Sequence, residues 1–318
     1  MAYICNRNTT FQGVGNISQD LLLNIVEANF KTYFDWAFLD LGAWFDAEVG
    51  EYTINSSTVQ QAQLLPVADE AYTDGQVWQG IRKDWVFESG CHTTMNPVQI
   101  SGLTVDGAFH SYPGGDFAVN YPDGRVVFDT PMGIGATVLM NYSYRAVQVY
   151  RASDAPWFSE LQYSSFNNSN PDIQRMEDGN WSIAGNSRIQ LPAIIIDPIS
   201  RSNSIPYEMG SRELVISQDI GFHVIAETKN ERNKLLDILR LQQGLTLDLY
   251  DTNDVAQAET FPLGPNLDKN PSGLMYPDLV SNYHYTKCYL KTVNLYEIRS
   301  ISPNLHQGLA RATVEIIS

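Results

Sequence analysis

Forty residues, Arg212 to Asp251 (RELVISQDIGFHVIAETKNERNKLLDILRLQQGLTLDLYD), constrain the fold of this chain more than any other stretch. Ile220, Phe222, Val224 and Ala226 alternate with Gly221, His223, Ile225 and Glu227, the period of a strand with one face on a core. Asn230 is placed to cap a helix, and Glu231 puts negative charge beside the orphan N–H groups of its first turn. Leu235, Ile238, Leu239 and Gln242 follow at helical spacing, and Gly244 supplies a left-handed stop. Leu245, Leu247 and Leu249 then resume the alternation. Two strands, a helix and a third strand make a small α+β unit, and no reactive motif lies within it.

The 318 residues suffice for two domains, each with its own core. Residues 1–49 read as an N-terminal segment and a long helix, capped by Ser18 and closed by Gly42. Its broad apolar face combines Leu22, Val26, Tyr33 and Ala37 with Leu23, Phe30, Phe34 and Leu41, a pattern that demands cover. Residues 50–151 read as a β-rich, sandwich-like domain. Asp106–Gly107 and Asp123–Gly124 mark tight hairpins, since glycine accepts the positive φ of such turns. Val138, Met140, Tyr142 and Tyr144 alternate, and the parity then shifts to Val147 and Val149, which predicts a bulge near Arg145 or Ala146. Residues 152–187 are Asn- and Gly-rich with scattered aromatics and read as an extended connector packed on a surface.

Residues 188–318 form the α+β domain, ending in two strands, 283–301 and 309–317, that pair across Pro303–Asn304. A long loop, 251–282, interrupts it. The loop carries Phe261, Leu263, Leu267, Leu274, Met275 and Tyr276 at no regular spacing, and irregular loops of this length are commonly functional. Three readings stand side by side: a loop folded on its own subunit, an arm whose six apolar residues lie on a neighbouring subunit, or a disordered segment.

Composition bears mainly on partners. The net charge of −16 is uneven: residues 1–185 hold 8 Lys/Arg against 21 Asp/Glu, and residues 186–318 hold 12 against 15. An acidic surface repels a phosphate backbone, which argues against sequence-specific duplex binding and suits a pore through which DNA slides. Cys5, Cys91 and Cys288 form no disulfide framework and no CxxC pair, so no structural zinc is expected. The five histidines are scattered, Asp35 and Asp40 do not face each other on a helix, and no nucleophile elbow, phosphate loop or zinc helix occurs. The expectation is no enzyme, no cofactor and no metal. The N-terminus lacks a signal pattern, and the apolar run Leu21 to Trp44 is broken by charges, so no membrane span is expected and the chain is read as cytoplasmic.

Two pieces resemble virion structural proteins of tailed bacteriophages. The segment FAVNYPDGRVVFDTPMGIGATVLMNYSYRAVQVYRASDAPW (residues 117–157) is similar to a β module of contractile-tailed phages. The region from Ser187 to the C-terminus resembles the fold of tail-terminator and neck proteins, one helix on an antiparallel or mixed sheet with a long loop. The resemblance implies a homo-oligomeric ring, commonly of six copies, at the head–tail neck of the virion. Such a ring caps the tail tube or sheath, contacts portal-adaptor and tail proteins, and lets DNA pass during ejection. The N-terminal helix and acidic β domain go beyond a minimal terminator, and that domain would face either the lumen or the exterior. A tail or baseplate subunit and a carbohydrate-binding β module are the alternatives.

Overall fold

The strand–helix–strand unit is the middle of a six-stranded mixed sheet. The computed structural model describes residues 14–48, 51–54, 57–60, 62–166, 172–208, 214–297 and 302–317. The sheet contains β1 (Gln148–Arg151), β2 (Ala193–Pro206), β3 (Leu214–Ala226), β4 (Thr246–Tyr250), β5 (His284–Glu297) and β6 (His306–Ile317). Their order is β1-β2-β3-β6-β5-β4, with β1 parallel to β2 and every other pair antiparallel. The alternation expected for 220–226 divides the two faces. Ile220, Phe222 and Val224 pack with Ile194 and Ile196 toward one core, while Ile225 packs with Ala193 and Ile195 toward another.

The first face is covered by α1 (Leu22–Asp40) and α3 (Lys229–Leu241), two helices where one was expected. Phe30 and Phe34 meet the Phe222 ring edge-on at 5.6 and 5.4 Å. Burial of each such ring contributes about 1.5–3 kcal/mol. The helix starts at Leu22, later than Ser18, and no side chain caps it; instead Asn253 Oδ1 accepts the Asp20 N–H at 2.8 Å. Its end is as expected. Gly42 lies at φ +76, Ala43 N–H donates to Phe38 O, and Gly42 N–H donates to Leu39 O, the paired bonds of a Schellman stop. In α3 the cap is Thr228 and not Asn230: Thr228 is extended, and its hydroxyl accepts the Glu231 N–H, whereas Asn230 already lies within the first turn. Gly244, at φ +88, follows the helix as expected.

The second face is covered by residues expected to be an extended connector. They form α2 (Pro156–Phe166) and a three-stranded antiparallel sheet (Ile173–Arg175, Trp181–Ile183, Asn186–Ile189). Trp157, Phe158, Leu161, Trp181 and Ile183 bury against Ile195 and Ile225, so the scattered aromatics are core residues of short elements.

The β-rich region is a seven-stranded antiparallel sheet around Trp78, Trp85, Leu103, Val119, Val126, Phe128 and Tyr142. Hairpins turn at Asp106–Gly107, both at positive φ, and at Gly124. The parity shift near Arg145 is not a bulge. Residues 142–145 pair with 44–47, and three residues later the chain enters the other sheet as β1. Among the described residues no helix is long and apolar enough to cross a membrane. Cys91 and Cys288 are buried and unpaired; Cys5 and most of the N-terminal segment lie outside the described residues.

Candidate functional site

The 251–282 segment contains two short helices, α4 (Thr252–Gln257) and α5 (Tyr276–Asn282), joined by an irregular stretch. Asp251 caps α4 by accepting the Asn253 N–H at 2.8 Å. Val255 and Leu279 bury with Tyr250, and Phe261, Leu274 and Tyr276 pack against them. Leu263 reaches the core of the β-rich region. The stretch is tied there by polar contacts as well: Lys269 Nζ donates to Phe87 O at 3.2 Å, Tyr121 N–H donates to Leu267 O at 3.2 Å, and the Tyr112 hydroxyl donates to Asp268. Five of the six residues singled out as a possible arm, Phe261, Leu263, Leu267, Met275 and Tyr276, line one cavity of their own chain. Leu274 packs beside α5, and Leu267 alone of the six is exposed, at 39%.

That cavity, about 500 Å³, lies between α1, the 83–88 stretch, the passage from 145 to 150, and the 261–276 stretch. Charges gather in it. Lys31 Nζ is 2.7 Å from Asp35, Arg145 Nη2 donates to Glu88 at 2.6 Å, and Arg145 Nε is 3.4 Å from Asp84. The Arg145 guanidinium also lies over the Phe87 ring, 5.7 Å from its centre. Burial opposes the charge on Lys31, yet Asp35 and Asp84 outweigh it and raise its pKa. Burial likewise opposes Arg145, but Glu88, Asp35 and Asp84 raise it further above the usual range. Burial pushes the Asp84 carboxyl up, against the pull of Arg145. Removing one partner of a buried ion pair typically costs about 3–5 kcal/mol, because the other charge stays behind. Sequence reasoning noticed Arg145 only as a break in parity and missed Asp84 and Glu88, which sit in a stretch without regular periodicity.

A second feature belongs to the sheet. Along 202–206, β2 pairs with β3 on one side and, among the described residues, with no strand on the other, because β1 reaches only 193–196. At the opposite margin β4 covers β5 along 284–289, leaving 294–296 without an outer strand among the described residues. Ile205 is 53% and Leu295 36% exposed on these two stretches. The open segments lie on opposite edges and at opposite ends of the sheet.

Among the described residues no group of three or more His, Cys, Asp or Glu is placed to hold a metal ion. His223 is buried against Phe158, His110 bonds to Asp116 and His284 to Asp248, so these three are spread over separate neighbourhoods. No family model matches the chain, and a search of curated proteins finds no relative.

Proposed function

We propose that the chain is a structural subunit of a tailed-phage virion that closes head to tail into a ring at the head–tail neck, capping the tail tube or sheath and leaving a channel for DNA. The observation that carries this reading, beside the sequence resemblance, is the pair of open sheet edges. β2 and β5 run in opposite directions, since three antiparallel steps separate them. A neighbour's β2 laid along β5 therefore makes an antiparallel pair and continues the sheet. Such a contact is heterologous, and it closes into a ring when its rotation divides a full turn. Unpaired edges invite unwanted pairing unless they are covered, and a ring covers both at once. The exposed Leu267 and the outward side of the 251–282 segment add to the subunit contact, and the acidic first half keeps phosphate from adhering to the assembly.

Light scattering with negative-stain images tests the reading. Particles of several chains with a central hole are expected, and Ile205→Lys or Leu295→Lys should yield folded single chains by placing a charge on an edge that must pair. A wild-type protein that stays a single chain at all concentrations, or edge variants that assemble normally, would sink it.

A further inference from the structure

The cavity beneath the 261–276 stretch holds polar atoms whose bonding is incomplete. Asp35 and Arg145 are only 7% and 5% exposed, yet Asp35 Oδ1 and Arg145 Nη1 have no hydrogen-bond partner among the described residues, and neither has Tyr150 Oη. All three residues line the same space. An unmade hydrogen bond at a buried polar group costs about 1–3 kcal/mol, and more at a charge, so three together point to a ligand that completes them.

Most other atoms of the cluster are engaged, although Arg145 Nε, like Nη1, makes no hydrogen bond. Asp35 Oδ2 takes Lys31, Arg145 Nη2 takes Glu88, and Arg145 Nε faces Asp84. Of the other charged groups in the lining, Lys83 lies over the Tyr150 ring, Asp123 accepts from Asn120, and Asp154 pairs with Arg151. What is left over is one anionic acceptor, two N–H positions of one guanidinium and one hydroxyl. Trp36, Phe87, Phe261 and Met275 supply an apolar wall beside them. A simple cation would satisfy Asp35 and leave Arg145 unmet; a simple anion would do the reverse. A ligand bearing both charges meets both without changing the net charge of the cluster.

We propose that this cavity binds a zwitterion of the α-amino-acid class with an apolar side chain. Its ammonium donates to Asp35 Oδ1, its carboxylate accepts from Arg145 Nη1 and the Tyr150 hydroxyl, and its side chain lies against Phe87 and Phe261. The volume of about 500 Å³ is within the range of small-molecule sites. This inference is independent of the ring.

The test is calorimetric titration of the full chain with a panel of L-leucine, L-methionine, L-phenylalanine and L-tryptophan. The best ligand is then compared with its decarboxylated amine and its deaminated acid. Saturable binding of at least one amino acid is expected, with each half-ligand roughly 10-fold or more weaker, the effect of losing one charge-assisted hydrogen bond. Tyr150→Phe removes a hydroxyl that holds no other partner, so the variant should fold normally and bind about 5-fold more weakly. Absence of binding across the panel, equal affinity for either half-ligand, or unchanged binding in Tyr150→Phe overturns the proposal.

Discussion

Asn29 offers the sharpest test of how α1 is held. Its side chain is fully buried and treats the end of β4 as a strand would: Tyr250 N–H donates to Asn29 Oδ1 at 2.9 Å, and Asn29 Nδ2 donates to Tyr250 O at 2.9 Å. The same amide nitrogen donates to Ile25 O at 2.8 Å. Asn29→Ala deletes these bonds and strands the N–H and C=O of Tyr250 in a space from which water is excluded. At about 1–3 kcal/mol for each abandoned backbone group, the loss should be roughly 2–5 kcal/mol. Asn24→Ala, whose side chain makes an exposed 3.3 Å contact with Asp20, should stay within about 0.5 kcal/mol. Urea unfolding followed by tryptophan fluorescence measures both; the midpoint should fall for Asn29→Ala with the slope unchanged. Asn29→Asp should be worse than alanine at neutral pH, because a carboxylate oxygen would then face Tyr250 O, and should recover partly on acidification. A loss below about 0.5 kcal/mol for Asn29→Ala would refute the reasoning, since it would mean that the stranded groups find other partners.

Two further outcomes follow from the ionisable groups. Burial raises the Asp84 carboxyl above its ordinary 3.8, so its contribution to folding is fully present below that value and is lost as pH rises through the folded value. Asp84→Asn should therefore gain stability relative to wild type as pH is raised from acid to neutral, and a pH-independent difference in unfolding midpoint would contradict this. Burial pushes the Cys288 thiol up to about 12 and also raises Cys91. A thiol-specific reagent at pH about 8 should label neither until the protein is unfolded, and rapid native labelling of either, located by peptide mapping, would show that its cover opens.

Local signals were the legible part of the sequence. The alternation at 220–226 located a central strand, Gly42 and Gly244 marked helix ends through the one conformation that suits glycine, and the Asp-Gly pairs marked hairpins. The departures arose where two local solutions were nearly equivalent and tertiary contacts chose between them. Thr228 and Asn230 are both capable caps, and the extended backbone at Thr228 decides. Breaks of alternation look alike whether a strand bulges or the chain changes sheets, and pairing with Ala193–Ile196 decided for the latter. The apolar residues of 251–282 would serve a neighbour or their own core equally well by composition; Tyr250, Val255 and Leu279 take Phe261, Leu274 and Tyr276 inward. The cavity charges were hidden for a related reason. Lys31, Asp35, Asp84, Glu88 and Arg145 come from three separate stretches and meet only after both sheets have formed.

The placement of α1 bears on how the chain is made. Phe30 and Phe34 bury against Phe222 of β3, and Tyr33 meets the Tyr276 ring of α5, which is synthesised roughly 240 residues after the helix itself. At about 5–20 residues per second, a ribosome leaves that aromatic face without this cover for roughly ten seconds to a minute. The nascent helix must be shielded in the interval, and a stop before α5 yields a product in which part of that aromatic face stays uncovered.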